Sequence, residues 1–107
     1  MAIPHARSGD VVDVKPVGPA FANSRTTTLV KTGRLEIIRL VIHEGKDIAE
    51  HRVAGEITVQ CLEGHVVFKF GSERRDLLAG QLLYLKGDQS HSLHAVENSS
   101  VLVTILL

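Results

Sequence analysis

The sequence has a single cysteine, Cys61, no tryptophan, one tyrosine and three phenylalanines among its 107 residues. One thiol excludes an intrachain disulfide and the paired-cysteine spacing of a zinc finger, and it fits a reducing cytoplasm. So few aromatics leave no platform on which bases could stack. An excess of either charge is missing too. Twelve Lys and Arg balance twelve Asp and Glu, so no long-range field draws in nucleic acid or an anionic membrane. No apolar run approaches the ~18 residues that a bilayer-spanning helix needs. The opening MAIPHARSGDVVDVKP holds no apolar core of the kind a secretory signal carries, so a cytoplasmic protein is expected. Three familiar devices are absent: the G-x-S-x-G elbow of a serine hydrolase, the G-x-G-x-x-G dinucleotide fingerprint and the phosphate-binding P-loop.

What is present points to β-structure. Val, Ile and Thr supply 26 residues, and such branched side chains suit a pleated surface better than a helix. Nine glycines punctuate the chain. From Gly33 onward they bound short apolar runs at the spacing of a sandwich or barrel. The runs predict strands over 26–31, 35–43, 48–53, 56–62, 65–70, 74–78, 82–85, 91–96 and 100–107. Pro4, Pro16 and Pro19 make residues 1–25 an extended arm or an edge strand rather than a central one. The expectation is therefore an all-β chain, with an N-terminal arm over 1–25 and one barrel domain over 26–107.

Alternation assigns faces to some strands. Ile57, Val59 and Cys61 should face inward, with Glu56, Thr58 and Gln60 outward. In the next strand Val66, Phe68 and Phe70 should face inward, His65 and Lys69 outward. The runs 35–43 and 82–85 stay ambiguous, because Glu36 and Arg39 interrupt opposite faces of one and the other is apolar on both.

Two glycine-bounded segments carry functional information. One runs from Gly45 to Gly64 and contains His51, Val53 and Ile57. The other runs from Gly80 to Ala95 and contains Lys86, Gly87, Asp88 and His91. Together they resemble the two motifs of the cupins, G-x5-H-x-H-x3,4-E-x6-G and G-x5-P-x-G-x2-H-x3-N. The resemblance covers residues 34–107. It implies a double-stranded β-helix, a jelly-roll barrel of two antiparallel sheets, usually as a homodimer. It also implies a divalent metal held by three His and one Glu. Here His51 and His91 fall on two of those positions. Val53 and Ile57 stand where the second His and the Glu would be.

A 3d ion usually takes three or four protein ligands. With only His51 and His91 as metal ligands, one divalent transition metal would be weakly held or absent. Gln60, Glu56, Glu50 and His94 have the wrong parity to replace the missing donors unless a bulge reverses them. The preferred reading is a barrel that binds a small, partly apolar molecule. His51 and His91 would be its polar anchors, among Val53, Ile57, Val59, Cys61 and Leu93. Two other classes remain open: a metal-dependent cupin enzyme of dioxygenase, isomerase or decarboxylase type, using His51 and His91, and an inert structural or regulatory barrel. Fold alone does not choose among them.

The final run, Val101 to Leu107, is apolar on both faces. A sheet with one face in water should alternate instead. A second copy of the chain or the N-terminal arm should cover the parity of Leu102, Thr104 and Leu106, and a homodimer is expected.

Overall fold

A computed structural model describes residues 5–107. The first four residues of the expected arm lie outside the described residues. Nine strands form: β1 (Thr27–Lys31), β2 (Leu35–Ile42), β3 (Asp47–His51), β4 (Ile57–Glu63), β5 (His65–Phe70), β6 (Glu73–Leu78), β7 (Leu82–Leu85), β8 (His91–Ala95) and β9 (Ser99–Leu106). Every expected strand is present, and the largest displacement is at the end of β3. That strand stops at His51 because the chain then turns away. The Val53 carbonyl is taken by the Asp88 N–H of the β7–β8 turn at 2.8 Å.

The strands make two antiparallel sheets, one of five strands ordered β1-β2-β9-β4-β7 and one of four ordered β3-β8-β5-β6. The sheets close on a shared apolar core. Ile57, Val59, Cys61, Val101 and Val103 come from the first, and Val66, Phe68, Leu93 and Ala95 from the second. The inward parity of β4 is as expected. The ambiguous β7 resolves with Leu83 and Leu85 inward and Leu82 and Tyr84 in solvent. In β5 one residue departs from simple alternation. Val67 is buried although its parity points outward. It lies in a row with Asp47, His94 and Asp76 across β3, β8 and β6.

The turn at Gly64 requires glycine. Its φ is +87°, and a Cβ there would lie 2.3 Å from the Asn98 carbonyl oxygen. Both the left-handed backbone and the close approach exclude a side chain.

For the arm the sequence allows an extended segment or an edge strand. The arm contains no strand among the described residues, and Gly18–Asn23 form a 3₁₀ turn that buries Phe21. Pro19 fits the first turn of such a helix, and Phe21 packs edge-on against His43 at 5.1 Å. One backbone bond, from the Ala6 N–H to the Leu29 carbonyl of β1 at 2.9 Å, and several side chains hold the arm. The Arg39 guanidinium donates to the carbonyls of Asp13 and Lys15 at 3.1 and 3.2 Å. The Val17 and Gly18 N–H groups donate to the Glu63 carboxylate at 2.7 and 3.0 Å. The arm therefore covers one end of the outer face of its own five-stranded sheet. No described helix is long and apolar enough to cross a membrane.

Candidate functional site

His51 closes β3 and His91 opens β8. The two residues are direct partners in the β3–β8 ladder, with an irregularity between Ile48 and His51. Their ring centroids lie 4.4 Å apart, inclined at 61°. The His91 ring also stacks on Phe68 of β5, with centroids 5.3 Å apart and planes within 13°. His91 is 5% exposed, whereas His51 is exposed at the mouth.

Each ring is held by its own backbone. His51 Nδ1 lies 2.9 Å from the Ala49 carbonyl oxygen, and His91 Nδ1 lies 2.9 Å from the Gln89 carbonyl oxygen. A carbonyl only accepts, so Nδ1 carries the proton in both rings. In the neutral imidazole the remaining nitrogen, Nε2, then presents a lone pair. Burial pushes the His91 pKa below its ordinary value. The Gln89 carbonyl opposes this shift and the neighbouring His51 adds to it.

The two rings line a cavity of about 100 Å³. The rest of its wall is hydrocarbon. Ile57, Val59, Val103 and Ile105 come from one sheet, and Ile48, Phe68 and Leu93 from the other. Of the residues singled out in the sequence, the structure brings together His51, Ile57, Val59, His91 and Leu93. Cys61 and Val53 do not reach this wall. Cys61 lies deeper along β4, with its Sγ bonded to the Glu63 carbonyl at 3.3 Å; burial raises its thiol pKa. Val53 packs against the core beyond the end of β3.

Sequence reasoning missed Ile38 and Leu40, which complete the wall from β2. Their parity was masked by Glu36, which sits near the start of the same face. The larger depression in the molecule, about 590 Å³ between β6 and β7, is lined by Phe70, Arg75 and Tyr84 among others. We regard the smaller cavity as the site, because it alone of the two joins an enclosed apolar wall to a convergent pair of imidazoles.

The other candidate donors turn away from the cavity. His94 bonds Asp47 at 2.6 Å and His65 bonds Asp76 at 2.9 Å. Glu50 accepts from Ser90 at 2.6 Å, and Glu56 accepts from Tyr84. Arg52 pairs with Asp88 at 3.6 Å instead of with Glu56 across the Gly55 turn. Among the described residues no three His, Cys, Asp or Glu side chains gather where they could hold a metal ion. Two imidazoles are short of the donor set of an ordinary 3d-metal centre, so the residues present do not fit one.

Neither a protein-family model nor a curated protein sequence matches the chain. Solved structures do. A cupin superfamily protein from Desulfitobacterium hafniense superposes with a TM-score of 0.78 at 18% identity, over 95% of this chain and 99% of that one. An RmlC-like cupin from Desulfovibrio desulfuricans gives a TM-score of 0.71 at 22% identity, over 95% and 97%. A conserved protein of unknown function from Streptococcus pyogenes gives 0.76 at 21% identity, over 99% and 94%. What the chain shares with them is the fold, a double-stranded β-helix of the cupin type.

Proposed function

We propose that this cupin-fold barrel is a small-molecule-binding protein, and that its ligand sits in the apolar cavity with His51 and His91 as polar anchors. The observation that carries the reading is the pairing of an enclosed hydrocarbon wall with two converging, backbone-fixed imidazoles. Apolar pockets with a few placed polar groups are the usual form of such sites. The reading takes the protein as cytoplasmic, as its lone cysteine suggests, and as a homodimer. A fragment screen followed by amide NMR on the whole chain tests it. Hits should shift the resonances of Ile57, Val59 and Leu93, and Val103→Phe, which fills the cavity, should abolish them. Hits confined to the β6–β7 depression would defeat the reading.

A second reading is a metal-dependent enzyme in which His51 and His91 are joined by ligands from solvent or substrate. The two Nε2 lone pairs favour it. Elemental analysis of protein purified without an affinity tag decides between the two. A stoichiometric transition metal supports the enzyme, and its absence with no gain on adding ions supports the binding protein.

A further inference from the structure

We infer that the cavity selects an uncharged molecule with an apolar body and a hydrogen-bond donor, of the phenol or small-alcohol class, and rejects carboxylates. This rests on the small-molecule reading above and narrows it to one ligand chemistry.

Two backbone carbonyls decide what the rings can offer. Ala49 and Gln89 each occupy a ring Nδ1–H at 2.9 Å. Neither ring has a donor left for the cavity while it is neutral. Each has one acceptor, Nε2. His91 is 5% exposed among hydrocarbon side chains, and such burial disfavours the imidazolium cation. The remaining wall is aliphatic or the face of Phe68, so no other group supplies a donor or a positive charge.

A carboxylate reaching His91 would lose its hydration and meet a lone pair set in a hydrocarbon wall. A hydroxyl has the opposite fit, because its proton meets the lone pair that lacks one. A purely hydrocarbon ligand would leave the buried His91 Nε2 without a partner, which costs free energy. The volume sets the size. About 100 Å³ is two-thirds of the engineered cavity of about 150 Å³ that takes up benzene, so a single ring reaching out toward the mouth is the upper limit of the body it holds. The exposed His51 and buried His91 add an order of contact: a ligand passes the first ring before reaching the second.

The test compares three probes that share one ring: phenol, toluene and benzoate. Each is titrated into the full chain by calorimetry, with a chelator present so that no metal competes for Nε2. Phenol should bind about tenfold or more tightly than toluene, the scale of one net hydrogen bond. Benzoate should not bind. His91→Phe should bring the ratio of phenol to toluene affinity close to one. Nitrogen-15 spectra of the imidazoles should show phenol, but not toluene, shifting Nε2. Toluene binding as tightly as phenol, or benzoate binding more tightly than phenol, overturns the inference and leaves small-molecule binding standing. Failure of all three probes to bind overturns the inference together with the reading on which it rests.

Discussion

His51 and His91 face one another across the β3–β8 ladder, and each donates its Nδ1–H to the carbonyl two residues earlier in the chain, at the same 2.9 Å. The same local device thus fixes both rings. No second side chain is needed to set either tautomer, so the orientation of the pair belongs to the backbone. Substituting neighbouring side chains should leave both tautomers as they are.

The buried member of the pair makes stability depend on pH. His91 has a pKa below its ordinary 6.5 because burial disfavours the cation. The unfolded chain therefore binds a proton at higher pH than the folded chain does. Its contribution is fully present above about 6.5 and is lost as pH falls through the lower folded value. Denaturant titrations at steps below pH 6.5 should show declining stability. In His91→Phe, which keeps the stack on Phe68, this part of the decline should vanish; an unchanged profile would assign it to other groups.

Glu63 fastens the arm. Burial works against its charge, but the Ser100 hydroxyl, the Val17 and Gly18 N–H groups and nearby Arg39 outweigh it and hold the carboxyl below its usual pKa. Glu63→Gln replaces one accepting oxygen with a donor that faces donors. A loss of about 1–3 kcal/mol is expected. Hydrogen exchange at Val17 and Gly18 should accelerate more than at β5. Equal acceleration everywhere would show that Glu63 supports the barrel as a whole and does not serve the arm in particular.

A metal site can be built into the wall. Ile57 lines the cavity opposite the imidazoles, so Ile57→Glu should complete a set of three donors with His51 and His91. Without an ion the buried carboxylate destabilises the fold by several kcal/mol. Zinc or nickel should restore stability, read as a metal-dependent rise in Tm. Adding Val53→His should contribute little further affinity, since Val53 lies past the end of β3. A double variant much tighter than Ile57→Glu alone would show that residue 53 reaches the ion.

Self-association is expected through the outer face of the five-stranded sheet. Ile37, Thr104, Thr58 and Tyr84 form one row across β2, β9, β4 and β7, and Arg39, Leu102, Gln60 and Leu82 form the next. Leu82 and Tyr84 are 63% and 60% exposed. The first row carries no charge, so a second copy of the same face is a suitable cover. Light scattering coupled to gel filtration should give about twice the chain mass. Leu82→Glu should halve it without unfolding, because that side chain is already in solvent. Leu102→Glu should dissociate or unfold the protein. A monomer at micromolar concentration would leave the arm as the cover.

Much of this fold is legible in the sequence because its determinants are local. Branched residues between glycines mark the strands, and the alternation of Ile57, Val59 and Cys61 marks the inner face of β4. Pairing His51 with His91 needed the resemblance to cupin motifs, since 40 positions separate them in the chain. Distant partners hide the rest. The turn at Gly18–Asn23 depends on Glu63, 45 residues away, and no local pattern announces it. Val67 is buried against the parity of its strand, in a row shared with β3, β6 and β8. Arg52 finds Asp88 because two turns meet, which adjacency in sequence cannot show.

The placement of β9 governs the order in which the molecule can assemble. It is hydrogen-bonded on one side to β2 and on the other to β4, yet in order of synthesis it follows all the other strands. Until residues 99–106 leave the ribosome, β1–β2 and β4–β7 are separate ribbons with no shared edge. The inward side chains of both, Leu40 and Val59 among them, then lack the neighbours that cover them. Such non-local pairing is slow to form, and unpaired edges invite aggregation in the interval. The five-stranded sheet therefore becomes continuous only once β9 has been made, and a nascent chain stalled before Ser99 would hold two ribbons with open edges.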